Sequence, residues 1–211
     1  LAGYPWFKCR ARDMFISLPG LTLTNNELKK YDDVMETAEK AIRHFMAGEP
    51  LEVSVTEMEH PDVLLWAVWC LQQYADTQGA EKCMQKYGSL IHDIMQWLME
   101  GKHPNLEIRP NGLVYSEGRD KAVTWMNSTD QGGRPIVPRT GYIVEFNALW
   151  YNALMFTAKL FANTDDTAFV QNLEMDARVC ADNFAPMFYN EFGYLCDYCV
   201  DGYRNYDVRP N

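Results

Sequence analysis

The chain has 211 residues, a formal charge of −10, and 47% hydrophobic and 13% aromatic residues. That length and composition suit one folded domain with a real core and exclude a disordered chain. The acidic balance argues against nucleic acid, whose phosphates attract basic surfaces. The longest apolar run, nine residues at 63–71, falls well short of a membrane span of roughly 20.

The opening LAGYPWFKCRARD lacks the charged-then-apolar order of a signal peptide, so a cytoplasmic protein is expected. Residues 12–18 read as a short buried helix stopped at Pro19-Gly20. Residues 26–46 carry Leu28, Tyr31, Met35, Ala38 and Ile42 on one stripe of a charged helix, with Thr24, Asn25, Asn26 and Glu27 as its start signal. Residues 62–74 are apolar nearly all round, so that helix is buried on most faces; residues 80–99 return to a single stripe.

A long interruption follows at 102–142, rich in Gly, Pro and Asn, with extended pieces at 106–109 and 112–115. Connections of this length are often functional. Residues 145–161 are again apolar all round, and residues 165–184 form a last amphipathic helix ending before Pro186. Buried and half-exposed helices therefore alternate, which implies three inner and outer pairs in two concentric layers. A simple bundle would make every helix amphipathic.

Cys70, Cys83 and Cys180 sit in helical apolar patterns, where a thiol acts as a small hydrophobe. Cys196 and Cys199 have CxxC spacing, but a zinc site needs about four ligands and no second pair exists. Reduced thiols are the expectation, with no metal and no cofactor. His44 and His92 fall on outer helices, where solvation is the simplest reading, and His103 lies on the loop.

Each buried helix opens on polar residues: Arg12 and Asp13 near Trp6, His60 and Asp62 before Trp66, Glu145 and Asn147 before Trp150. The loop adds Trp125 and Asn127. In a ring of helix pairs the inner helices run parallel, so these groups share one rim. Arginine and carboxylates bind hydroxyl pairs, and indoles cover the apolar face of a pyranose. Hydrolysis of a glycoside further needs two carboxyl groups, one protonating the leaving oxygen and one activating water or attacking. Structural roles compete: Asp62 fits a helix N-cap, Glu145 complements a helix dipole, Arg12 and Asp13 fit a surface pair, and the tryptophans fit the core.

The sequence resembles the C-terminal domain of glycogen debranching enzymes over its whole length. GYPWF…RDMFISLPGL is similar to that family's GYxWF…RDTxIxLPGL, and DVLLW to DxxLW. TWMNS…GGRPIVPRTGYIVEFNALWYNAL looks like TWMDA…VTPR.G..VEINALWYNAL, and VRPN like IRPNQ. The resemblance implies an all-α (α/α)6 toroid, about half of it present as three helix pairs with a loop of short strands. It also implies amylo-α-1,6-glucosidase activity, the removal of single α-1,6-linked glucose from trimmed glycogen branches with inversion.

By the same resemblance Arg12 and Asp13 would hold the glucose, with Asp62 beside them, and Trp6, Trp125 and Trp150 would shape the subsite. Glu145 and Asn147 would line its wall. Two departures stand out. Asn127 replaces the aspartate expected as general acid, and an amide has no ionisable proton; Asp130 is the nearest substitute. Arg10-Ala11-Arg12-Asp13 also alters the family's WGRD. The family's base lies downstream of RPNQ. Residues 1–211 are therefore expected to be part of a larger glucosidase domain, inactive alone and prone to self-association, with α-glucan as partner. The alternative is a non-catalytic carbohydrate-binding relative of the same fold.

Overall fold

The computed structural model describes residues 8–50 and 54–209. Among them are six α-helices, one 3-10 turn and five short strands, so the chain is mostly α-helical, as the periodicity predicts. It divides into two compact units, Leu1–Glu100 and Gly101–Asn211.

In the first unit α1 (Ala11–Thr22), α2 (Leu28–Ala47), α3 (Val63–Gln78) and α4 (Ala80–Met99) follow one another, with the 3-10 turn at Leu23–Asn25. Helix α3 is the apolar rod, and α1 and α4 pack against it. Helices α2 and α4 each bury one stripe, including Tyr31, Met35 and Ile42 on α2 and Tyr87, Ile91 and Ile94 on α4. Each such side chain contributes roughly 1.5–3 kcal/mol when buried. Tyr31 stacks on Tyr74 at 5.4 Å, and its hydroxyl donates to the Cys70 carbonyl at 3.0 Å, which offsets burying a polar group.

Boundaries in the first unit differ from expectation, and α3 runs on to Gln78 rather than ending at 74. Pro19-Gly20 does not stop α1, because Leu18, Pro19 and Thr22 are all buried and that packing outweighs the amide Pro19 lacks. The residues read as opening α2 instead close α1. The Thr24 hydroxyl donates to the Gly20 carbonyl at 2.6 Å and the Asn25 amide to Leu21 at 3.3 Å. Asn26 then turns the chain with a left-handed φ of 57°.

The second unit holds β1 (Glu107–Ile108), β2 (Val114–Tyr115), β3 (Tyr142–Ile143), α5 (Val144–Phe161), α6 (Thr167–Phe188), β4 (Tyr198–Val200) and β5 (Tyr203–Arg204). Strands β1 and β2 form an antiparallel hairpin in the two stretches expected to be extended. Strands β3, β4 and β5 form a second antiparallel sheet, with Tyr142 opposite Cys199. Helices α5 and α6 pack on each other. Asp166 caps α6 by accepting the Phe169 amide at 3.2 Å. That helix passes through Pro186 rather than ending at 184; Phe188 is buried beyond it, and the Pro186 carbonyl accepts Arg204 at 2.7 Å.

Candidate functional site

The starts of α1 and α3 meet. Arg12, in the first turn of α1, donates from Nε and Nη2 to the two oxygens of Asp62, each at 2.8 Å, and both side chains are only 2% exposed. Asp62 stands at the N-cap position of α3, yet its carboxylate makes no cap. It takes Trp66 Nε1 at 3.1 Å as well as Arg12. A bidentate pair of this kind is directional, and it satisfies two charges that would otherwise be costly to bury.

His60 extends the network. Arg12 Nη2 donates to His60 Nδ1 at 3.1 Å, so the imidazole carries its own proton on Nε2. Burial, and then the adjacent Arg12 charge, hold His60 below the usual histidine range. Glu57, in a left-handed conformation at φ 62°, pairs with Arg10 at 3.0 Å. Asp13 is half-buried one residue along. Trp66 and Trp69, both half-buried, meet edge to face at 5.5 Å. Trp6 lies outside the described residues.

In the second unit the first turn of α5 is organised around two side chains. Asn147 is fully buried and clasps strand β2: its oxygen accepts the Val114 amide at 2.7 Å, and its nitrogen donates to Val114 at 3.0 Å and Ile143 at 2.9 Å. Trp150, also fully buried, donates from Nε1 to Gly112 at 3.2 Å. The hairpin is thus pinned to α5 by two consecutive turns of that helix.

Glu145 faces the other way. Its carboxylate is held by both Nη atoms of Arg139, with Nη2 at 2.6 Å. Arg139 is 1% exposed and also grips Asp197, from Nη2 at 2.6 Å and Nε at 3.1 Å. Arg209 reaches Asp197 at 2.5 Å. Burial pushes the Glu145 carboxyl above its ordinary value, against the pull of Arg139. Glu145, Asp197 and Arg209 form the polar side of a cavity of about 380 Å³, with Phe184, Tyr194 and Leu195 among its apolar walls.

On the long loop Trp125 is 43% exposed and Asn127 is half-buried. Asp130 is exposed, and its Oδ1 accepts the Gly132 amide at 2.8 Å and the Arg134 amide at 2.9 Å, closing a turn. All six cysteines are free thiols, and no group of three or more potential metal ligands occurs among the described residues.

Arg12, Asp62 and Trp66 are thus in direct contact within the first unit, while Glu145, Asn147 and Trp150 anchor separate networks within the second. Arg139, Asp197 and Arg209 were not among the residues expected from the sequence. Asp197 lies between the CxxC cysteines, where nothing in the local pattern marks a partner for an arginine 58 positions away. The usable signal for Arg139 was an arginine six residues ahead of Glu145 at the mouth of an apolar helix.

These features define a mostly α-helical chain whose buried helices open on paired charges and indoles. The chain belongs to the amylo-alpha-1,6-glucosidase family, whose model matches residues 1–211. Comparison with curated proteins and with solved structures gave no match.

Proposed function

We propose that the chain supplies the glucose-binding part of a debranching glucosidase that hydrolyses single α-1,6-linked glucose residues from trimmed glycogen branches with inversion. The observation that carries this reading is the buried Arg12–Asp62 pair at the starts of α1 and α3, in a chain matched to the family along its full length. In this reading Arg12 and Asp62 fix the helix starts and present Asp13 to the sugar hydroxyls. Within the second unit, Trp125 offers an exposed indole suited to the apolar face of a pyranose. Glu145 lines the cavity beside Asp197, and Asn147 and Trp150 hold the hairpin. The inner helices would form part of an (α/α)6 toroid.

Inversion requires an acid that protonates the glycosidic oxygen and a base that takes a proton from the attacking water, as the bond from C1 to the leaving oxygen breaks. Asn127 cannot be that acid, and the reading assigns the base to residues outside these 211. The chain alone is therefore expected to bind malto-oligosaccharide and release no glucose from a singly branched limit dextrin.

A second reading, a non-catalytic carbohydrate-binding protein, is favoured by Asn127 together with the turn-closing bonds of Asp130. A protein extended beyond residue 211 separates the two. Glucose release from limit dextrin in the extended protein supports the enzyme, and binding without release supports the second reading. Malto-oligosaccharide binding that survives Asp13→Ala unchanged would overturn both.

A further inference from the structure

We infer that the cleft beside the β1–β2 hairpin is a second α-glucan site, separate from the residues assigned to the glucose subsite. The inference rests on the α-glucan reading above and extends it to another part of the chain. The cleft has a volume of about 460 Å³, inside the roughly 300–1,000 Å³ range of small-molecule sites. Arg109, Glu107, Tyr115, Glu117, Lys121 and His103 line it. None of them belongs to the networks at the helix starts.

The groups are held in place before any ligand arrives. Arg109 lies over the Tyr115 ring at 4.4 Å across the hairpin and pairs with Glu107, two residues back on its own arm, at 3.0 Å. Tyr142 meets Tyr115 edge to face at 5.3 Å. The hairpin turn is closed by the Arg109 amide on Leu113 at 2.9 Å and the Gly112 amide on Arg109 at 2.8 Å. His103 Nδ1 accepts the Asn105 amide at 3.1 Å, which leaves the ring proton on Nε2.

The alternation of charge selects the ligand class. A phosphate drawn to Arg109 and Lys121 would also meet Glu107 and Glu117, and an organic cation would meet the reverse. A neutral polyol suffers neither penalty, because each hydroxyl donates to a carboxylate and accepts from a guanidinium or ammonium. A branched glucan presents many chain ends, so a second grip on the same polymer raises its effective concentration at the first.

The test uses maltotriose with the full 211-residue chain, read by amide chemical shifts. Perturbation of residues 103–121 is expected, with little change on raising the salt concentration, because the ligand is neutral. Lys121 and Glu117 are both exposed, so the double variant Lys121→Ala/Glu117→Ala should fold normally. It should weaken binding at the cleft by about tenfold, the loss of roughly one good polar contact. Asp13→Ala should leave the cleft response intact.

Maltotriose shifts confined to the α1 and α3 starts would overturn this site alone. Shifts nowhere would overturn it together with the α-glucan reading. A cleft that responds to inorganic phosphate and not to maltotriose, or that is unchanged in the double variant, would also refute it.

Discussion

Arg12 and Asp62 are each 2% exposed at the side chain, so each serves as the counter-charge of the other where water is excluded. Asp62→Ala should cost about 3–5 kcal/mol in urea unfolding, because it strands a buried guanidinium. Lys29→Ala, at an exposed pair with Asp33, should stay within about 0.5 kcal/mol. His60 adds a pH dependence. Its folded form resists protonation, while the unfolded chain takes up a proton near the ordinary value of about 6.5. The unfolded state then binds more protons, so stability falls as pH drops through about 6.5. Glu145, raised by burial, acts in the opposite sense at lower pH. His60→Gln keeps an acceptor for Arg12, and unfolding curves at a series of pH values should lose the histidine slope in that variant alone.

Helix α5 is an element whose polar residues serve its neighbours. Asn147 imitates a strand edge, pairing with both backbone groups of Val114. Asn147→Ala should cost about 2–3 kcal/mol, since it leaves buried backbone groups unpaired, and should speed hydrogen exchange at the Val114 amide. At the start of β3, Gly141 takes φ 90°, and a Cβ there would press into the Cys199 carbonyl. Gly141→Ala should therefore loosen β3 from β4 and cost at least about 1–3 kcal/mol. The helix itself was legible from its apolar run, and so was the oddity of Glu145 and Asn147 at its mouth. Their partners were not. Val114 lies 33 positions away from Asn147 and Asp197 lies 58 away from Arg139, and nothing local marks either pairing.

At the scale of the molecule the thiols report on both units. Cys70, Cys83, Cys180, Cys196 and Cys199 are buried, while Cys9 is half-buried. Burial pushes Cys70, Cys83 and Cys199 up to about 12 and Cys180 up to about 11. A soluble aromatic disulfide reagent should therefore modify at most Cys9 in the native chain, and the other five only as the protein unfolds. Rapid modification of Cys196 or Cys199 without unfolding would contradict their burial. The sequence by itself determined the helical class and the limits of α4 at Ala80–Met99, because apolar periodicity is a local property of the chain. It did not show that α5, apolar nearly all round, leaves Ala148, Tyr151, Met155 and Lys159 exposed along one stripe. Only the tertiary structure decided that α1 continues through Pro19, that Asp62 serves Arg12 instead of capping α3, and that Arg139 bridges Glu145 and Asp197. Each of those outcomes is a competition between a local preference and a buried partner distant in sequence, and in each the cost of an unpaired or unpacked group in the interior decides it.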